Sequence, residues 1–341
     1  MNTNQIQNHD RQRQRLLQSN GNERSERQIH ETHEKIFREN SCYSWAFSLR
    51  SLRSAPLARL AFVVSILIAA GAQADFVTIG GTDVAADSTG YGAVNYTYGI
   101  SRYEVTGAEF DAAVAADSRV GGCSYDSANG PAYYVSWYES AMYCNWLTSG
   151  DAYLGAYQFD GAGTFLGIDR TSAISTYGII YALPTEDEWY KAAYWTGNGS
   201  DPWSLYANGT DTTPIWGTTD GWNYRDGTYG YAYGMDTWAV GYGAQEQNGT
   251  YDMMGNVVEW TEDLYNSPRY AARGGSYGTS AGGLASDARG GGYPDFEYSD
   301  AGFRVVMIPE PSTVLLFGIG LTGAWLLRRN KKLKEDKGPV S

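Results

Sequence analysis

Three times between residues 106 and 188 a hydroxyl residue is followed three positions later by glutamate: Thr106 and Glu109, Ser136 and Glu139, Thr185 and Glu188. At this spacing the hydroxyl accepts the third backbone N–H of a helix while the carboxylate reaches back to the capping residue, so each pair marks a helix start. Apolar residues follow in register: Phe110 and Val114, then Ala141, Cys144 and Trp146-Leu147, then Trp189, Ala192 and Ala193. Helices are predicted near 106–116, 136–148 and 185–195. A short β-like run precedes each, at 98–101, 133–135 and 179–183. After residue 196 the helical signal stops. Gly, Tyr, Asp, Asn and Trp dominate from there, with β-like runs near 257–260, 270–273 and 303–307. No period of 20–50 residues recurs, which excludes a solenoid or propeller. The pattern reads as an irregular α+β fold held by aromatic packing.

Both ends of this body carry apolar runs. Leu60 to Ala70 follows the basic residues Arg53 and Arg59 and leads into Gly71-Ala72-Gln73-Ala74. That is the layout of a secretory signal peptide cleaved before Asp75. The run is shorter than the roughly 17–25 residues of a membrane span. A buried core helix would leave the basic flank and the small-residue exit unexplained. Residues 1–59, polar and basic with 10 Lys/Arg against 6 Asp/Glu, read as a disordered extension. It is either a long leader or a start codon placed too early. At the other end, Pro309-Glu310-Pro311 precedes the apolar stretch Val314 to Leu327, and Arg328-Arg329 and Lys331-Lys332 follow. This suits a short membrane stop with its positive end in the cytoplasm. The expected division is an extension at 1–59, a signal region at 60–74, one domain at 75–308 and a sorting or membrane tail at 309–341.

The body carries 9 Lys/Arg against 29 Asp/Glu. A surface so acidic repels phosphate backbones, so nucleic acid is excluded as a main partner. His9, His30 and His33 all lie upstream of residue 75. The body therefore has no Ser-His-Asp triad, Cys-His pair, His-ligated zinc or two-His iron site. Cys123 and Cys144 remain after cleavage. They can pair in an oxidising compartment, or Cys144 can be a buried helix thiol. Glu109, Glu139 and Glu188 are read as caps, and Arg273 and Arg304 as fork donors to buried carboxylates or carbonyls. The run Arg289-Gly290-Gly291-Gly292 has no strand before it and helix after it, so it is not a phosphate loop. The aromatic residues serve packing, and an exposed Tyr/Trp-Asp surface would suit sugar rings.

The Pro-Glu-Pro start, short apolar stretch and double arginine resemble the PEP-CTERM sorting signal of Gram-negative exported proteins. The resemblance implies recognition by an exosortase after passage through the general secretion machinery. It also implies membrane attachment through the tail before processing, cleavage near Pro309–Pro311, and delivery to the cell envelope, surface or extracellular matrix. A plain single-span anchor is the alternative.

Six motifs in order span the body: Tyr103-Glu104-Val105-Thr106; Val135-Ser136-Trp137 with Ala141 to Trp146; Leu183-Pro184-Thr185-Glu186-Asp187-Glu188-Trp189; Tyr251-Asp252-Met253-Met254-Gly255-Asn256-Val257-Val258-Glu259-Trp260; Arg273-Gly274-Gly275-Ser276-Tyr277; and Gly302-Phe303-Arg304. The set resembles the formylglycine-generating enzyme, or sulfatase-modifying factor, family. The family implies a C-type-lectin-like fold with little regular secondary structure. Its active members oxidise a substrate cysteine using copper(I) held by two cysteines, three and eight residues after the serine of the Arg-Gly-Gly-Ser motif. Those positions are Thr279 and Leu284 here, and neither side chain can replace a thiolate on a soft ion. The family position matching Cys144 is half of a disulfide whose partner position is Val305 here. The resemblance also implies calcium in the 251–260 turn, with Asp252 and Glu259 as side-chain ligands and Gly255 and Val257 as carbonyl ligands. A hard cation with six to eight oxygens suits such a turn. Otherwise Asp252 and Glu259 only fix the turn by hydrogen bonds. A second calcium site would start near Asn223, with Asp226 and Asp236 competing as its acid. The expected function is an exported surface protein, calcium-binding but without formylglycine-generating activity, serving the envelope as a binding or structural module for glycan or matrix. The alternative is a formylglycine-generating-type oxidoreductase that modifies sulfatases or other exported proteins through a relocated metal site.

Overall fold

The computed structural model describes residues 75–81, 84–197, 202–217, 220–225 and 236–310. The extension, the signal region, Asp226 and the tail from Pro311 onward lie outside the described residues.

Helix α1 (Gly107–Ala116), α2 (Trp137–Ser149) and α4 (Glu186–Tyr194) each begin one residue after the hydroxyl of a capping pair. All three boxes are closed in both directions. Thr106, Ser136 and Thr185 accept the N–H of Glu109, Glu139 and Glu188, and each glutamate accepts the capping residue's own N–H. In α2 the buried residues include Trp137, Ser140, Ala141, Cys144 and Asn145, which is the stripe expected of a helix lying on a core. Helix α4 is buried nearly all round. Its Lys191 has no carboxylate partner among the described residues. The ammonium donates instead to the carbonyls of Gly81 at 2.6 Å and Val94 at 3.0 Å, tying the 81–94 segment to the core.

A fourth helix, α3 (Arg170–Tyr177), has no Glu-based box. Asp169 caps it by accepting the Ser172 N–H at 2.9 Å, and only Ala173 is buried. That leaves almost no apolar period to read. It stops at Gly178, whose φ of 76° suits a residue without a side chain.

The first sheet joins both ends of the body. β1 (Phe76–Ile79), β2 (Tyr98–Ser101), β10 (Val306–Pro309) and β5 (Ile179–Ala182) lie in that order, antiparallel throughout. β3 (Tyr157–Phe159) and β4 (Phe165–Ile168) form a separate hairpin. The third sheet runs β8 (Gly290–Gly292), β7 (Arg269–Arg273), β6 (Val258–Asn266) and β9 (Ala301–Gly302), the last pair parallel. The mixture of helices and small sheets is α+β, as expected.

Two β expectations need correction. Residues 133–135 form no strand, because Tyr134 sits at φ 52° and only Tyr133 makes an isolated bridge, to Ser124. The run expected at 303–307 is displaced to 306–309, since Arg304 leaves the sheet to enter the core. Cys123 and Cys144 are free. Burial pushes the Cys123 thiol up to about 12 and the Cys144 thiol well above its usual range, which disfavours the reactive thiolate at both.

Aromatic rings fill the space between these layers. Trp137 stacks on Tyr270 with centroids 3.8 Å apart and meets Tyr157 and Phe165 edge-on. Its indole N–H donates to the Thr261 carbonyl at 2.8 Å. Trp137→Ala should therefore cost about 3–5 kcal/mol, whereas Ser136→Ala, which removes only a cap, should cost about 1 kcal/mol. Denaturant midpoints of the two variants check the contrast.

Candidate functional site

The turn from Tyr251 to Trp260 is wound tightly enough to need left-handed residues, with Asp252 at φ 62°, Gly255 at 87° and Asn256 at 57°. A Cβ on Gly255 would lie 2.1 Å from the Asn223 carbonyl oxygen, so only glycine fits there. The buried N–H groups of the turn are taken up by carboxylates. Glu246 accepts from Met253 at 3.2 Å and Met254 at 3.0 Å; Glu104 accepts from Val257 at 3.0 Å and from the Asn256 amide at 2.6 Å. Asn256 in turn accepts from Trp238 N–H at 2.8 Å and the Asn223 amide at 3.0 Å.

The four residues expected to hold calcium share one turn, but the two carboxylates among them have other partners. Asp252 accepts the Gly241 N–H at 2.6 Å. Glu259 faces Arg304 with both oxygens, each 2.6 Å from a guanidinium nitrogen, and one of them also accepts the Trp189 indole N–H at 2.7 Å. Glu259 as folded is the counter-ion of Arg304. Asn223, expected to open a second site, hydrogen-bonds to Asn256 and to the Asp236 carbonyl instead. Among the described residues no three His, Cys, Asp or Glu side chains converge in a way that could hold a metal.

Glu104 and Glu246 complete the cluster, and sequence reasoning assigned them no role. Glu104 was visible only as a member of the Tyr103-Glu104-Val105-Thr106 motif, with no role attached to it. Glu246 stands in a polar run with no signal at all. Burial raises the Glu104 carboxyl well above its usual range, with Asp252 and Glu259 adding to the rise. It pushes Asp252 up to about 6 and Glu246 up to about 8; the Arg304 charge opposes both shifts.

Two further arginines behave as read from sequence or extend that reading. Arg273 donates to Glu186 at 2.8 Å and to the carbonyls of Ser286 and Ala288, with its guanidinium 4.5 Å from the Tyr91 ring centroid. Arg289 grips the same glutamate with two bonds of 2.6 Å.

Thr279 and Leu284, the two positions that the resemblance aligned with copper ligands, follow the Arg273-Gly274-Gly275-Ser276 motif. A Cβ added at Gly275 would meet Leu284 Cδ2 at 2.9 Å and Thr279 Cγ2 at 3.1 Å, so both side chains close on the same glycine. Leu284 is fully buried. The Thr279 hydroxyl accepts the Ser276 N–H at 2.9 Å, and Ser276 Oγ donates to Asp300 at 2.8 Å. Tyrosines and acids form a rim nearby. Burial raises the Tyr277 phenol, with Asp300, Tyr134, Asp236 and Asp126 adding to the rise. Tyr133 donates to Asp126 at 2.8 Å, and the strained Tyr134 is 41% exposed.

The body has no histidine, and Glu246 is one of the buried acids raised toward neutral pH. Its raised carboxyl means the folded state holds a proton that the unfolded chain, with a glutamate near 4.3, has released. This contribution to stability is complete below about pH 4 and is lost as pH rises through about 8. In chelator, the melting temperature should fall between pH 6 and pH 8.5, and Glu246→Gln should flatten the fall.

Residues 74–308 match the family described as Sulfatase-modifying factor enzyme 1-like domain, and residues 308–331 match the PEP-CTERM protein-sorting motif. A comparison with the curated proteins finds no match. Among solved structures the fold is similar to that of CarF, at 25% identity and a TM-score of 0.52 over 69% of this chain and 98% of that one. Treponema denticola variable protein 1 is matched at 21% identity and a TM-score of 0.49, over 69% of this chain and 95% of that one. PvdO from Pseudomonas aeruginosa is matched at 18% and 0.43, over 68% and 91%. With the six motifs in place on this fold and the match covering the whole body, the chain belongs to the sulfatase-modifying factor family and carries a PEP-CTERM sorting signal at its C-terminal end.

Proposed function

We propose that the body is a non-catalytic module of the cell envelope that uses the family scaffold for binding. The observation that carries this reading is the closure of Thr279 and Leu284 on Gly275. At the two positions aligned with the family's copper ligands the chain offers a methyl group and an isobutyl group, neither of which can replace a thiolate on copper(I). Cys123 and Cys144 are free thiols elsewhere in the body, and burial disfavours their thiolate forms. The rim of Tyr133, Tyr134 and Tyr277 with Asp126 and Asp300 supplies flat apolar faces beside hydrogen-bond acceptors, a chemistry suited to sugar rings. A calcium ion in the 251–260 turn would draw on Asp252 and the carbonyls of Gly255 and Val257, with Glu259 held by Arg304.

The direct test gives the exported protein copper(I), oxygen and a peptide carrying a sulfatase motif. No cysteine should lose mass to an aldehyde. Turnover above a metal-free control would overturn the non-catalytic reading. Binding is tested on immobilised polysaccharide from the host envelope, where Tyr134→Ala with Tyr277→Ala should lower retention. Calcium is scored separately by melting. A hundredfold excess over Kd should stabilise the protein by about 2.7 kcal/mol, and Asp252→Asn should abolish the gain.

A further inference from the structure

The sorting motif starts inside the folded body. Its match begins at residue 308, yet Ile308 and Pro309 belong to β10, in register with Ile180 and Ile179 of β5. Ile308 is 7% exposed. The Glu310 N–H donates to the Gly178 carbonyl at 2.6 Å. Gly178 is itself fixed as the cap of α3, its N–H bonded to the Ile174 carbonyl at 2.7 Å. Two of the three residues of Pro309-Glu310-Pro311 are therefore held at the corner where α3 turns into β5.

An enzyme that reads a short peptide takes it extended and makes its own bonds to the backbone. At 308–310 that backbone is already partnered. The tail supplies little slack. Only Pro311, Ser312 and Thr313 separate Glu310 from the apolar stretch beginning at Val314, a reach of about 10 Å when extended. The strand end is also the part of β10 most easily freed. β2 pairs with Val306 and Met307 only, so Ile308 and Pro309 rest on the edge strand β5 alone. Pro309 has no N–H to give to a ladder.

We propose that the α3–β5 corner masks the sorting motif, so that the sorting enzyme processes only chains in which residues 308–310 have unpaired from Gly178, Ile179 and Ile180. The body contributes no chemistry to the cleavage. It sets the fraction of chains whose motif is open, and processing tracks that fraction when opening and closing are fast. The inference is independent of what the body binds.

The test uses the full-length chain in a host that carries the sorting enzyme. Inserting Gly-Ser-Gly-Ser between Ile308 and Pro309 moves the motif out of the sheet with its own sequence and tail intact. In pulse-chase labelling the processed form should appear at least about threefold faster than in the unmodified chain. An unchanged or slower rate overturns the mask. A second measurement needs no variant to fold. In detergent and without the enzyme, the Glu310 amide of the unmodified chain should exchange with deuterium many times more slowly than an unstructured peptide; exchange at the free-peptide rate overturns the proposal.

Discussion

Arg304 is the residue on which the other elements converge. Its Nε and one terminal nitrogen hold the two oxygens of Glu259 in β6, that terminal nitrogen also reaches the Tyr251 carbonyl, and the other terminal nitrogen reaches the carbonyls of Ser101 and Arg102. One planar fork thus fastens the end of the first sheet, the start of the third sheet and the turn between them. Its charge and its partner's are both fully buried. Such a pair contributes little net stability against an apolar replacement, yet removing one partner costs about 3–5 kcal/mol, because a bare charge remains in the core. Register is what the pair supplies. Trp189 adds the fourth element, since its indole bonds the same carboxylate from α4.

Around this fork the interior is acid-rich. Glu259 bonds the guanidinium, Glu104, Glu246 and Asp252 feel its charge, and these three are pushed toward the protonated form. These acids remain because the turn 251–260 runs through the core with its N–H groups facing inward, and a buried N–H without a partner costs more than a carboxyl that holds a proton. Glu104 and Glu246 act as substitutes for a missing strand. The turn keeps its irregular path, and the core accepts the carboxyls, raised toward their neutral form.

The helices were legible because each capping box is local: four residues suffice, and the structure closes all three. The two arginine forks were legible as a type of contact, since a guanidinium within an apolar run has few other uses. The partners were not, because Glu259 lies 45 positions from Arg304 and Glu186 lies 87 from Arg273. Helix α3 escaped detection because its burial is confined to Ala173. The calcium ligands were placed by resemblance on residues that do share a turn, but no spacing rule could foresee that Glu259 faces Arg304. The strained Tyr134 broke a run that reads as β from residue types alone.

Lys191 has a consequence beyond the segment it ties down. It is the only lysine between residues 75 and 308, and its side chain is sealed in the core under Gly81 and Val94. Between residues 75 and 308 the folded exterior therefore presents no lysine amine. Enzymes that join proteins through lysine, reducing sugars that glycate it, and proteases that cleave after it find no substrate on this surface. For a domain that carries an export and sorting signal, that is a form of chemical durability written into the placement of one cation.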